Sequence, residues 1–292
     1  MNLISLYREG DMTTKLIFIN SAVFLFMCVL MLIDMFAGSQ SEHFTQILFS
    51  LSGDFLSNII YPWRWVTYMF LHTHFIHYII NMLLLSFAGR LFYEFWGSRD
   101  LLNIYIFGGL LGGIAFTITC LATDSYTRPL CGASASIMAL VFACATYAPN
   151  YQVRLTLIGD VRIKWIAAMF LAVSAFNMLG SNWLGELSHA GGMIGGSLFA
   201  LLLKTKDINV TSWIGNIIDF FANLFKREKK PKMKLYRNPN MTTGRRTAGS
   251  PTFTTNTEEE RLDSLLDKIK MSGFDSLTDA EKRFLDGYGK RN

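Results

Sequence analysis

Between residues 15 and 203 the chain is a series of long apolar runs separated by short polar breaks, and beyond Lys204 it turns polar and basic. The apolar runs lie at about 16–37, 74–93, 101–122, 134–148, 163–181 and 188–203, and they predict six helical spans. The first has 22 residues, enough to cross a hydrocarbon core of roughly 30 Å. The fourteen residues before it are polar and mixed in charge, and no small-residue cleavage site closes it. It therefore reads as a retained span and not as a cleaved signal peptide. The fourth run is short: fifteen helical residues rise only about 22 Å. A helix starting at Ser134 cannot cross the whole core, so residues 124–132 are expected to dip into the protein. Irregular backbone at that depth is tolerated only where protein buries it or a watery cavity meets it. That predicts a cavity near Ser134.

The connections carry patterns of their own. Residues 38–73 include Trp63, Arg64 and Trp65 among Ile59, Ile60, Val66 and Phe70, which predicts a segment settled in the outer membrane interface. After the sixth run, Trp213, Ile214, Ile217, Phe220, Phe221 and Leu224 recur at helical spacing, followed by Lys226, Arg227, Lys229 and Lys230. This reads as an interfacial helix whose basic end attracts anionic lipid, with a short seventh span as the other reading. Residues 231–257 have the Pro, Thr, Gly and Arg content of a flexible linker. In 258–292, Leu262, Leu265, Leu266 and Ile269 form one stripe. Thr278 and Glu281 then open a second helix as a reciprocal cap. The expected organisation is an N-terminal segment at 1–14, a membrane domain at 15–205, a basic interfacial helix at 206–230, the linker at 231–257, and a small helical hairpin at 258–292 serving docking or stability.

Composition sharpens this picture. Of 292 residues, 51% are hydrophobic and 17% charged, against about a quarter charged in ordinary soluble domains. The class is an all-α membrane protein with a soluble helical tail. The formal net charge of +5 is distributed with a direction. Arg8, Lys15, Arg90, Arg99, Arg154, Arg162, Lys164 and the basic tail fall on one side; Arg64 and Arg128 fall on the other. The positive-inside rule then puts both termini in the cytoplasm, and the expected location is a bacterial cytoplasmic (inner) membrane. Nothing calls for a nucleic-acid partner, and nothing fixes an oligomeric state. The four cysteines, Cys28, Cys120, Cys131 and Cys144, have the spacing of neither a zinc site nor a disulfide framework and read as buried thiols. Cys131, beside Ser134 in sequence, is a minor candidate for tuning reactivity.

The candidate chemistry gathers in one leaflet. All five histidines, at 43, 72, 74, 77 and 189, fall in the outer half of this topology. Polar groups at membrane depth are costly and usually mark function. His77 and Asn81 are one turn apart on the second span, Ser134 starts the fourth below the outer surface, and His189 lies near the outer end of the sixth. A serine hydroxyl needs a base to become a nucleophile, and neutral imidazole is the usual one near pH 7. The tetrahedral intermediate needs donors, which His77, Asn81 and the Ser134 amide can supply. Gly191 with Gly195, and Gly192 with Gly196, are small-xxx-small pairs that let the sixth span approach Ala135, Ala139 and Ala143 of the fourth.

These residues carry a resemblance. Gly132-Ala-Ser134-Ala, followed two spans later by His189-Ala-Gly-Gly192, resembles the catalytic signature of the rhomboid intramembrane serine proteases. The run from His72 through His77 to Asn81 resembles the family's second-helix motif, Trp63-Arg64 resembles its first-loop pair, and Glu94 with Gly97 its second-to-third connection. The resemblance covers about residues 15–205. It implies a six-helix rhomboid-like bundle that cleaves single-span membrane-protein substrates without cofactor or metal. It further implies Ser134 as nucleophile, His189 as base, His77 and Asn81 as oxyanion donors, and Gly132, Gly192, Gly196, Arg64 and His72 as structural support. The family uses a dyad; Glu186, three residues before His189, stands as a subordinate candidate for orienting it from the loop. Three positions depart from the family pattern or complicate it: Ala135 where Gly is usual, Met138 where an aromatic is common, and Ser136 as a second hydroxyl about 200° around the helix. The other classes are a silent relative that binds membrane clients, a histidine-lined transporter, and a metalloprotease using His72, His74 and His77. The second lacks paired intramembrane acids, and the third lacks a His-Glu-x-x-His pattern.

Overall fold

The computed structural model describes residues 3–38, 40–126, 129–155, 159–180, 182–224 and 258–289, in two units, Met1–Glu228 and Lys229–Asn292. The linker at 231–257, the basic cluster from Lys226 to Lys230, and Arg128 lie outside the described residues. In the first unit a short helix α1 (Leu3–Glu9) leads to α2 (Met12–Ala37). Asp11 caps α2 by accepting from the Thr14 amide at 2.7 Å, and Gly38 ends it at φ +64°. The helix starts four residues before the apolar run, where Asp11 caps it and Thr13 packs on Gly89.

The first loop folds into α3 (Ser41–Phe49), α4 (Phe55–Ile60), α5 (Arg64–Thr67) and a 3-10 turn at Tyr68–Phe70. Its outward side is apolar, with Phe44, Ile47, Leu56, Ile59, Ile60 and Trp63 exposed. Arg64 is buried and holds the loop together. Its Nη1 donates to Ser57 Oγ at 2.7 Å, Nε to Leu48 O, and Nη2 to Ile47 O, while the guanidinium lies 4.3 Å over the Tyr61 ring.

The bundle follows: α6 (Phe75–Tyr93), α7 (Ser98–Thr123), α8 (Ser134–Tyr147), α9 (Ile163–Asn177) and α10 (Trp183–Lys206). α2, α6, α7 and α10 are long and apolar enough to cross a membrane; α8 and α9 are shorter, at 14 and 15 residues. α8 is buried on nearly every side, against α7, α10 and α6. Leu101, Ile104, Phe116, Ile137, Leu140 and Phe199 make much of the core.

Two expectations are corrected. α10 begins at Trp183, not at 188, because Gly185 and Glu186, which interrupt the hydropathy ahead of the run, are buried, and Glu186 has partners in Ser174 and His189. Residues 149–162, expected as a plain connection in an all-α fold, contain an antiparallel hairpin of β1 (Gln152–Leu155) and β2 (Gly159–Arg162). Val153 opposes Val161 on its half-buried side, and Arg154 opposes Asp160 on the exposed side. This alternation fits a ribbon with one face covered. The thiols are free, with Cys120 and Cys144 buried and Cys28 and Cys131 only half-buried.

α11 (Ser212–Leu224) is amphipathic, and its 13 residues cover about 20 Å, too little for a span. Ile214 is buried, Gly215 faces Arg99 and Asn103 of α7, and Asp219 pairs with Arg99 at 2.5 Å. Trp213, Ile217, Phe220, Phe221 and Leu224 face outward.

The second unit contains α12 (Glu258–Ser272), a 3-10 turn at Phe274–Ser276, and α13 (Asp279–Gly289). Glu281 accepts from the Thr278 amide at 2.8 Å and from Lys268 Nζ at 2.9 Å, which ties the α13 cap to α12. The Lys268 ammonium, with the Thr278 donors, holds this carboxyl well below its ordinary value, at about 2. A depressed acid contributes stability above its unfolded pKa and loses it as pH falls towards the folded one. Amide protection at the start of α13, corrected for the intrinsic pH dependence of exchange, is therefore expected to fall between about pH 4.5 and pH 2, and Glu281→Gln to remove most of that pH dependence; an unchanged profile in the variant would contradict the assignment.

Candidate active site

The segment before α8 enters the protein as irregular backbone, and its polar groups are paired. Leu51 and Leu130 exchange N–H···O bonds at 3.0 and 2.8 Å, and the Gly132 amide donates to Tyr68 O at 2.9 Å. These bonds tie the dip to the first loop and supply the partners that buried backbone requires. Gly132 sits at φ +123°, and a Cβ there would lie 2.8 Å from Cε1 of His77. The position excludes a side chain on both counts, and the turn it makes delivers Ser134 to the first turn of α8, where backbone N–H groups have no helical partner.

His189 comes from α10, in the second turn. Its Nε2 lies 2.7 Å from Ser134 Oγ. Glycine sets this spacing: a Cβ on Gly192 would stand 2.1 Å from Ala135 O, and one on Gly196 2.0 Å from Ala139 O. The other face of α10 is as close to α7, where a Cβ on Gly191 would meet Leu111 O at 2.4 Å. α7 contributes glycines of its own. Gly108 abuts Ala139 and Gly112 abuts Ala135, so α7, α8 and α10 meet through small residues on all three sides. Ala135 is packed between Gly112 and Gly192.

The far side of the imidazole is also occupied. Nδ1 lies 2.8 Å from Glu186 Oε2 and 3.2 Å from Ser174 Oγ, and Ser174 Oγ donates to the same Glu186 oxygen at 2.5 Å. Glu186 is buried. It was expected in a loop and sits instead in the first turn of α10, where the helix dipole favours an acid. Ser174, on α9, had no signal beyond being a hydroxyl in an apolar run.

His77 and Asn81 line the same cavity of about 370 Å³ as Ser134, His189, Glu186 and Met138. Asn81 donates one amide hydrogen to His77 O at 2.9 Å and keeps a second to offer. Cys131 lines the cavity too. His72 is fully buried behind it, its ring 5.4 Å from that of His77. Arg64 is part of the loop scaffold, and His43 is exposed on α3. Ser136 is buried against Gly109 of α7, on another side of α8 from His189. The chemistry this permits is proton transfer from Ser134 Oγ to His189 Nε2 beside a cavity that His77 and Asn81 also line.

Residues 61–206 match the family model of the rhomboid domain. The chain belongs to the rhomboid family. This rhomboid, with four long apolar helices and two shorter ones among the described residues, is an integral multi-pass membrane protein. The match contains Ser134, His189, His77, Asn81, Arg64 and the glycines of the three-helix contact. Residues 255–291 match a second model, a family of unknown function (DUF6576). Comparison with curated proteins finds no match.

Gly192→Val should push α10 off α8 and destabilise the rhomboid fold by about 3 kcal/mol or more. Gly97, with nothing within 4 Å of its Cβ position, is the control, and Gly97→Ala should stay within about 0.5 kcal/mol. Thermal unfolding in detergent checks both, and equal midpoints would contradict the packing account.

Proposed function

We propose that this rhomboid is an intramembrane serine endopeptidase that cleaves the membrane segments of single-span proteins. The observation that carries the reading is the 2.7 Å contact between Ser134 Oγ and His189 Nε2, at the buried start of a helix inside an apolar bundle. His189 takes the Ser134 proton as Oγ attacks the scissile carbonyl, and the acyl-enzyme that follows is released by water. The oxyanion is met by the Ser134 amide, the free Asn81 hydrogen and the His77 imidazole. In a site shielded from bulk solvent these donors act more strongly than in water. Gly132, Gly192 and Gly196 keep the helices close enough for the contact, while Arg64 and His72 support the loop and the wall behind His77.

In this reading α8 and α9 complete six crossings. α8 is long enough because residues before Ser134 have already descended part of the way. The Lys and Arg asymmetry supports cytoplasmic termini. The apolar outer face of α11 supports a helix lying in the inner interface, with the basic residues that follow it drawn to anionic lipid. The partners are the bilayer and the substrate helix; neither cofactor nor metal enters the reaction.

Reconstituted in liposomes with a labelled single-span substrate, the wild-type protein should cleave it. Ser134→Ala should lose at least about 10³-fold of that activity while keeping its fold. Cleavage undiminished in Ser134→Ala overturns the reading, and a folded wild type inert toward every membrane segment tried would favour the client-binding alternative.

A further inference from the structure

The environment of the His189 Nδ1 goes beyond a serine–histidine pair. We infer that Glu186 is a positioning residue for the reaction, extending the pair to Ser134–His189–Glu186, with Ser174 fixing the carboxylate. The inference rests on the protease reading of the same site and deepens it.

Four contacts carry it. Ser134 Oγ to His189 Nε2 is 2.7 Å, His189 Nδ1 to Glu186 Oε2 is 2.8 Å, Ser174 Oγ to Glu186 Oε2 is 2.5 Å, and Ser174 Oγ to Nδ1 is 3.2 Å. The side chains of His189 and Glu186 are only 17% and 9% exposed. An ionised carboxylate accepts and does not donate. Facing Nδ1, it requires the imidazole proton to sit there, which leaves the Nε2 lone pair pointed at the Ser134 hydroxyl. The Ser174 hydroxyl has one proton and gives it to the same oxygen, so that oxygen is held from two directions. A carboxylate needed only for the α10 dipole would stand in water at lower desolvation cost. This one is buried and directed at the imidazole from one turn away on the same helix.

The consequence for the reaction is electrostatic. When Ser134 Oγ forms its bond to the scissile carbon, its proton moves to Nε2 and the imidazole becomes a cation. The carboxylate already beside Nδ1 balances that charge, and no solvent has to reorganise. As the tetrahedral intermediate collapses, the C–N bond breaks and the Nε2 proton passes to the leaving amine. Glu186 stays ionised throughout and touches neither substrate nor the reacting atoms, so its effect is confined to what His189 does.

Shape and charge can be separated by substitution. Glu186→Gln preserves size and removes the charge; Glu186→Asp preserves the charge and shortens the reach. In liposome cleavage, Glu186→Gln should lower kcat by about 10²-fold with KM within about twofold of wild type. Glu186→Asp should recover at least about tenfold of that loss. A carboxylate serving only to pack α10 gives the reverse order, with Gln better than Asp, and that order overturns the inference. Ser174→Ala provides an independent arm if either Glu186 variant fails to fold: it should lower kcat several-fold with KM unchanged, and wild-type kcat would overturn the inference. Ser134→Ala separates the two levels. If it still cleaves, the protease reading fails; if it is inert while Glu186→Gln keeps wild-type kcat, only the role of Glu186 fails.

Discussion

Gly192 and Gly196 face the carbonyl oxygens of Ala135 and Ala139 at distances that leave no room for a Cβ, and Gly191 does the same against Leu111 of α7. Everything at the site depends on this approach. A serine side chain is one of the shortest available, and it reaches an imidazole on a neighbouring helix only where the two backbones nearly touch. In lipid there is little hydrophobic force to press apolar helices together, so van der Waals contact between small residues does most of that work. Gly108 and Gly112 on α7 complete the arrangement by letting α8 settle between two partners. The site is therefore a property of three helices in contact, with the hydroxyl and the ring fixed by their backbones.

The second requirement is a partner for each polar group taken to membrane depth. The descending segment ahead of Ser134 meets it through the Leu51–Leu130 exchange and the bond from Gly132 to Tyr68. The first loop supplies those partners because Arg64 gathers the carbonyls of Ile47 and Leu48 and the Ser57 hydroxyl into one place. Glu186 and Ser174 meet it by pairing with each other and with His189. Loop and dip form one hydrogen-bonded structure, and Ser174, Glu186, His189 and Ser134 form a second beside it. Such networks are stable when every member is satisfied and costly when one is removed.

Much of this was legible in the residues. The short apolar run after Ser134 gave the dip and the cavity, because length and rise per residue leave no alternative. Gly192 and Gly196 were readable as small-xxx-small partners on a span, and Gly132 through the resemblance of its motif. His77 and Asn81, one turn apart on α6, line the cavity that Ser134 also lines, and their spacing put them on one face. What stayed hidden shares a cause. Gly185 and Glu186 looked like the end of a loop since they interrupt hydropathy, and only Ser174 of α9 makes the burial of Glu186 intelligible. Ser174 carried no pattern of its own. The β-hairpin at Gln152–Arg162 was missed because four-residue strands with one valine each leave too short an alternation to separate from a loop.

The central claim is that His189 makes Ser134, and not its neighbour Ser136, a nucleophile inside the membrane. Treating the reconstituted protein with a fluorophosphonate and mapping the adduct by mass spectrometry tests it most directly. The account predicts phosphonylation of Ser134 alone in the wild type and its loss in His189→Ala. An adduct on Ser136, or one on Ser134 that persists undiminished without His189, would contradict it.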